Sequence, residues 1–105
     1  MQEASQRRMM QDVPKADVVI TNPTHFAVAI KYDADTNQAP DLTAKGQDYV
    51  AMKIKEIARD NNIRIVENKP LARMLFHNVE RGAEIPPELY QSVAEILAMI
   101  YKENH

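Results

Sequence analysis

Two short apolar segments separated by an Asn-Pro pair are the feature that most constrains the fold of this chain. The first, Asp17–Thr21 (DVVIT), is rich in β-branched residues, which is typical of a buried strand. The second, His25–Tyr32, alternates Phe, Val, Ile and Tyr with Ala and Lys, which predicts another strand. Proline cannot donate to a strand ladder, and Asn-Pro favours a turn. We therefore expect Asn22-Pro23 to lie in a tight connection between two strands.

The remaining segments alternate between helical and extended patterns. Residues 2–12 predict an exposed helix or a linker that ends before a proline. Residues 33–40 (DADTNQAP) form the clearest loop, and a short extended stretch follows near Leu42. A helix is indicated next by apolar residues at helical spacing, namely Val50, Ile54, Ile57 and Ala58. Ile63–Glu67 (IRIVE) then predicts a further strand.

Two more helices are expected in the last third of the chain. Asn68 is a suitable N-cap with Pro70 in the first turn, and an apolar stripe runs to Gly82 through Leu71, Met74, Leu75 and Val79. Pro86-Pro87 opens the last helix, whose apolar face comprises Leu89, Val93, Ile96, Leu97 and Ile100. This order predicts an α/β (α+β) fold, a small mixed β-sheet of about four strands surrounded by about four helices.

Composition excludes several classes of protein. The chain has 105 residues, 45% hydrophobic and 27% charged, which is typical of one soluble globular domain. A net charge of −2, with both signs mixed along the chain, gives no electrostatic reason to expect nucleic acid. Without cysteines there is no disulfide or thiolate site, and the three histidines lack metal-ligand spacing. We therefore expect no metal and no cofactor.

Asn22-Pro23 carries a specific chemistry. Asparagine usually deamidates when the next backbone nitrogen attacks its side-chain carbonyl, but Pro23 has no N–H and closes that route. The remaining route is attack by the side-chain amide nitrogen of Asn22 on its own backbone carbonyl carbon. A five-membered succinimide then forms, and the bond to Pro23 breaks.

An amide nitrogen is a poor nucleophile, so this reaction needs assistance. A turn pinned between two strands can hold the amide over the carbonyl, which lowers the barrier by positioning. His25 is a candidate to accept the amide proton, and the Thr24 hydroxyl is a candidate to orient the turn or donate to the developing oxyanion. The alternative is that Asn22–His25 is an ordinary turn without chemistry, since Asn-Pro is a common turn dipeptide.

The run VPKADVVITNPTHFAVAIKYD resembles the cleavage-site strand pair of the FlhB/YscU family of type III export-switch proteins. The resemblance continues in Ala39-Pro40, in AKG at 44–46, and in KPLARMLF and IPPELYQSVAEILAMIY, and it is closer to the flagellar branch. The family's NPTH motif corresponds to Asn22, Pro23, Thr24 and His25 without departure. The resemblance thus implies single-turnover self-cleavage between Asn22 and Pro23 rather than a turnover enzyme.

The resemblance also implies a setting. Residues 1–12 would lead from a membrane portion that is absent here, and residues 13–105 would form the autocleaving export-switch domain at the cytoplasmic face of the bacterial inner membrane. Expected partners are export substrates, chaperones and other export-apparatus proteins, with cleavage permitting a change of substrate class. We also expect the cleaved fragment 1–22 to remain associated, because Val18, Val19 and Ile20 should stay paired in the sheet.

The last helix has more apolar surface than one buried stripe uses. We expect a docking patch for export substrates where this surface adjoins the Ala39-Pro40 pair, formed by Ala39, Pro40, Ala94 and Leu97. The alternative is that these residues belong to the core.

Two other functions are compatible with the sequence. The first is a free-standing soluble paralogue with the same fold. The second is a small α/β enzyme that uses His25 with Asp17 or Asp33 on an external substrate. Intact mass separates the second from self-cleavage, because an enzyme leaves the chain in one piece.

Overall fold

The structure is a computed structural model that describes residues 2–23, 25–33, 35 and 39–103, with side chains from Gln6 onward. Four α-helices are α1 Gln2–Asp12, α2 Tyr49–Asp60, α3 Lys69–Asn78 and α4 Pro87–Glu103. Four strands are β1 Val18–Asn22, β2 Phe26–Lys31, β3 Asp41–Gln47 and β4 Arg64–Glu67, and a short 3₁₀ turn covers Val13–Lys15. These elements, within the described ranges, confirm the expected α+β fold with four strands and four helices.

The four strands form one mixed sheet in the order β3-β2-β1-β4. β1 is antiparallel to β2, with Asn22 opposite Phe26, and parallel to β4. β2 is also antiparallel to β3. The β1 strand is therefore an interior strand with a ladder on each side, and the Asn-Pro pair lies directly at its end.

The two faces of the sheet bury side chains of different size. On one face, larger residues such as Val18, Ile20, Val28 and Ile30 pack against α3 and α4. On the other face, Val19 and three alanines (Ala27, Ala29, Ala44) pack against α1 and α2. The alternation of large and small residues in β2 thus assigns each side chain to one layer of helices.

β3 is longer than the short extended stretch expected near Leu42 and spans seven residues. Its residues DLTAKGQ have little strand propensity, so pairing with β2 and packing against α1 and α2 determine its conformation. A bulge near Thr43 lets Leu42 face the α3/α4 core and Ala44 face the α1/α2 core. Lys45 then donates from Nζ to the carbonyl oxygens of Phe76 (2.8 Å) and Val79 (2.9 Å), which caps the end of α3.

The helices differ from expectation mainly at α3. Asn68 is its N-cap and accepts from the Leu71 N–H, as the sequence indicates. The helix ends at Asn78 rather than near Gly82, and Met74 is exposed instead of joining the apolar stripe. In the described part of the chain, none of the helices has the length and apolarity that crossing a membrane requires.

A close approach between α2 and β3 depends on Gly46. A Cβ placed there would lie 2.8 Å from Val50 Cβ and 3.2 Å from the Val50 carbonyl carbon, in the first turn of α2. Because backbone as well as side chain is in the way, a rotamer change cannot relieve the contact. We expect Gly46→Ala to destabilise the domain by about 1–3 kcal/mol, which lowers Tm by roughly 4–20 °C.

Thermal melting of a double-mutant cycle checks this prediction. If the contact with α2 is the cause, Gly46→Ala should cost less in a Val50→Ala background, where the Val50 methyl groups are absent. Strict additivity of the two substitutions would show that the Val50 methyl groups contribute nothing to the cost of a side chain at Gly46.

Candidate functional site

Asn22–His25 is a turn between interior strands. The His25 N–H donates to the Asn22 carbonyl oxygen at 2.9 Å, which closes a four-residue β-turn with Pro23 in its second position. Asn22 and Phe26 on either side are paired in the β1–β2 ladder. Thr24, predicted as an assisting residue, lies outside the described residues. The predicted placement of the Asn-Pro bond in a tight connection between two strands agrees with this geometry.

Asp48, which precedes α2, and Lys55, within α2, each donate a hydrogen bond to the turn. The Asp48 N–H donates to the His25 carbonyl oxygen at 2.9 Å. The Lys55 ammonium donates to the Pro23 carbonyl oxygen at 2.8 Å. The carbonyl oxygens of Pro23 and His25 are thus both hydrogen-bonded by α2 or by the residue that precedes it, and this restricts rotation of the turn.

His25 is exposed, with its side chain 64% accessible to solvent. Its Nδ1 lies 4.0 Å from Asp48 Oδ1, so a carboxylate is available to orient the imidazole. Asp48 itself has φ of +51°, in the left-handed region that favours glycine. An aspartate held there costs about 1–2 kcal/mol of backbone strain, which points to a role for its carboxylate beside the turn.

The carbonyl oxygen of Asn22 already has a backbone hydrogen-bond donor. Addition of a nucleophile to this carbon places negative charge on the oxygen, and the His25 N–H points at that oxygen from 2.9 Å. Backbone donors at 2.7–3.1 Å from a developing oxyanion are the usual means of stabilising such a charge. The oxyanion role that the sequence suggested for Thr24 is therefore available to the His25 backbone.

Asn22 is half-buried and lies on the wall of an open groove of about 600 Å³ between the turn and α3. The facing wall includes Lys69, Arg73 and His77. His77 contacts the Phe26 ring edge-on at 5.3 Å, and Phe26 stacks on Phe76 at 4.7 Å. These rings attach the first residue of β2 to α3, so the turn is supported from both sides of the sheet.

The four residues predicted as a docking patch come together. Ala39, Pro40, Ala94 and Leu97 line one open groove of about 560 Å³, whose other walls include Tyr32, Tyr90 and Tyr101. Ala94 is exposed, whereas Leu97 is buried and belongs to the core of α4. The alternative that these residues belong to the core therefore holds for Leu97, whereas Ala94 lies on the surface and remains a predicted docking position.

The alternative of a His25–Asp enzyme disagrees with the geometry. Asp17 precedes β1 and accepts the Tyr32 N–H at 2.7 Å, beyond the end of β2. Because the two strands are antiparallel, Asp17 and Asp33 lie at the opposite end of the pair from His25. In the described part of the chain, no group of three or more His, Asp or Glu side chains is arranged to hold a metal ion.

Two residues of the site were missed by sequence reasoning. Asp48 directly precedes an apolar helical pattern, and an aspartate in that position is a signal that would have marked it as the N-cap residue of α2. Lys55 carries no signal, because a lysine on the polar face of a helix is ordinarily solvated. Only the fold brings it to a turn 32 residues earlier in the chain.

Comparison with known proteins agrees with this fold. The sequence pattern of the FlhB HrpN YscU SpaS family matches residues 1–100. The flagellar biosynthetic protein FlhB of Bacillus subtilis is 53% identical over 100 residues, which are 95% of this chain and 28% of that protein. FlhB of Borreliella burgdorferi is 56% identical over 89 residues, 85% of this chain and 24% of that protein.

A solved structure is similar as well. The crystal structure of the cytoplasmic domain of FlhB from Shewanella putrefaciens matches with a TM-score of 0.86 and 49% identity, over 91% of this chain and 74% of that one. The chain spans roughly a quarter of the length of the curated relatives named above. The family pattern covers nearly all of this chain, and the expected resemblance to the flagellar branch is confirmed. The chain therefore belongs to the FlhB HrpN YscU SpaS family, and flagellar FlhB proteins are among its relatives.

Proposed function

We propose that this chain is the cytoplasmic domain of a flagellar type III export component that cuts its own backbone between Asn22 and Pro23. The observation that carries the proposal is the turn itself, where a proline follows the asparagine and the His25 N–H donates a hydrogen bond to the Asn22 carbonyl oxygen. In this proposal the domain acts at the cytoplasmic face of the inner membrane and is joined to a membrane portion. Its partners are export substrates, chaperones and other export-apparatus proteins, and the cut permits a change of substrate class.

The proposed reaction is intramolecular and balanced. The Asn22 side-chain nitrogen bonds to the Asn22 carbonyl carbon, and the bond from that carbon to the Pro23 nitrogen breaks. The attacking amide loses one proton, which the His25 imidazole accepts, and the departing Pro23 nitrogen gains one proton. Residue 22 becomes a succinimide, and Pro23 becomes a free secondary amine. The donor at the Asn22 oxygen and the bonds from α2 provide the positioning that an amide nucleophile requires.

Intact mass in denaturant tests the cut. We expect two species, residues 1–22 and 23–105, in the natural protein and one in Asn22→Ala. Because Asn22 is only half-buried, this substitution should leave the unfolding free energy within about 1 kcal/mol of the original. Asn78→Ala, at another asparagine outside the turn, is the matched control and should cleave normally.

Cleavage that persists in Asn22→Ala would contradict the succinimide route. Pro23→Ala offers a second discrimination, because it restores a backbone N–H at position 23. We expect slower cleavage there, with a gain of about 1 Da from Asn22 deamidation.

The imidazole and the backbone of His25 make separable contributions. His25→Ala keeps the N–H that donates to Asn22, so any loss of rate belongs to the side chain. General acid–base catalysis is typically worth about 100-fold or more, and imidazoles change charge between about pH 5 and 8. We expect His25→Ala to slow cleavage by about 100-fold and to flatten its dependence on pH in that range, measured by intact mass against time. Asp48→Asn should have a smaller effect, and Asp60→Asn at the far end of α2 should have none. An unchanged rate in His25→Ala would limit this residue to its backbone role.

We also propose that the fragment 1–22 stays bound after the cut. Its larger buried apolar side chains, among the described residues, are Met9, Val13, Val18, Val19 and Ile20. Their burial is worth about 8–15 kcal/mol, against an association cost of about 4–15 kcal/mol. Because β1 is an interior strand, release also requires breaking its ladders with both β2 and β4. Association is therefore favoured, and dissociation is slow.

The groove at Ala39, Pro40, Ala94 and Leu97 is the proposed docking patch for export substrates. Its walls combine small apolar side chains with three tyrosines, a composition that suits an apolar peptide segment. The groove lies beyond the end of β2, where Tyr32 forms part of its wall.

We expect Ala94→Asp to weaken binding of a labelled rod-or-hook-type export substrate at least tenfold in fluorescence anisotropy. Because Ala94 is exposed, the unfolding free energy should change by less than about 1 kcal/mol. Ser92→Asp is the matched control, since Ser92 is exposed on α4 and does not line the groove. Normal binding by Ala94→Asp, or unfolding of the domain, would contradict the docking patch.

A further inference from the structure

The groove between the turn and α3 is basic. Lys69, Arg73 and His77 recur every four residues, so they lie along one face of α3. Residue 22 lies on the opposite wall, and no aspartate or glutamate is among the described residues that line the groove. Arg64 and Arg81 pair with Glu103 and Asp12, but no described carboxylate lies within ion-pair distance of Lys69 or Arg73. Two cations thus face residue 22 without a counter-charge in the described part of the chain.

The cut creates a negative charge at residue 22. This step rests on the proposed self-cleavage, in which residue 22 first becomes a neutral succinimide. Water then adds to either imide carbonyl and opens the ring, and one proton is released. Whichever bond opens, residue 22 retains one carboxamide and one carboxylate. Before the cut, the same residue carries only a neutral amide and a neutral peptide group.

We infer that Lys69 and Arg73 form a binding site for this new carboxylate at the end of the 1–22 fragment. The charge appears on one wall of the groove, and the two cations stand on the other. Charge-assisted hydrogen bonds from lysine and arginine are the strongest that a carboxylate can accept in a protein. Before the cut, the described residues that line the site carry no negative charge, and afterwards the site is occupied by the product of the chain's own reaction. Cleavage therefore adds an electrostatic attachment of β1 to α3 beside the sheet ladders.

The competing partner for the carboxylate is the Pro23 amine, which the same cut makes cationic. The two cases differ in what α3 contributes. If Pro23 alone binds the carboxylate, substitutions at Lys69 and Arg73 leave the attachment unchanged. If the groove binds it, those substitutions remove the attachment.

The test uses the cleaved protein and two synthetic 1–22 peptides, one ending in a carboxylate and one in an amide. Each labelled peptide is exchanged into the cleaved protein, and its dissociation rate is measured by a chase with unlabelled peptide below the melting temperature. We expect the carboxylate peptide to dissociate about tenfold more slowly than the amide peptide. In Lys69→Gln/Arg73→Gln this ratio should fall to within about twofold of unity. Lys53→Gln/Arg59→Gln on α2 removes the same charge from exposed positions away from the groove and should retain the tenfold ratio.

The outcomes separate this inference from the proposed function. Equal dissociation rates for the two peptides would overturn the carboxylate site while leaving self-cleavage intact. A tenfold ratio that persists in Lys69→Gln/Arg73→Gln would assign the carboxylate to another partner and would also overturn it. A chain that remains in one piece by intact mass would overturn the proposed function instead, and the inference would fall with it.

Discussion

The antiparallel pairing of β1 with β2 is the constraint on which the rest of the site depends. Val18, Val19 and Ile20 are all buried, with successive side chains packed on opposite faces of the sheet. A slip of β2 by one residue would turn its large side chains toward the face that its alanines now occupy, so the register of the pairing is strongly specified. With Asn22 opposite Phe26, three residues remain to reverse the chain, and the turn has little freedom. The core therefore holds the Asn-Pro bond in its conformation although the turn itself is largely exposed.

The second requirement is that α2 lies close enough to reach the turn. Alanines at 27, 29 and 44 and the glycine at 46 leave space on this face of the sheet. The first turn of α2 then contacts the end of β3, which places the Asp48 N–H and the Lys55 ammonium on carbonyls of the turn. Small residues in the sheet thus determine how closely α2 approaches the turn and how firmly the turn is held.

Sequence reasoning succeeded where local pattern and tertiary packing agree. DVVIT and the alternating segment after Pro23 are strands because their apolar residues match buried positions on the two faces. It recovered only a short extended stretch of β3, whose residues have little strand propensity and which owes its full length to its neighbours. It also included Met74 in the apolar stripe of α3, because helical spacing cannot tell the buried part of a stripe from its exposed margin. Lys55 was missed for a different reason, since its role exists only through a contact between distant segments.

The separation between the turn and the proposed docking patch limits how a cut could influence export. β2 begins beside the turn and ends at Lys31, next to Tyr32 in the groove, and its six residues span about 20 Å. A cut at Asn22 leaves the β1, β2 and β3 ladders in place, so it gives no direct reason for the groove at Ala94 to change shape. What does change is local: two new chain ends, a new charge at residue 22, and the basic face of α3 opposite it. The proposed cut would therefore alter a different surface from the one proposed to bind substrates. A partner that responds to cleavage would have to contact the turn and α3, whereas a partner that is carried for export would contact α4.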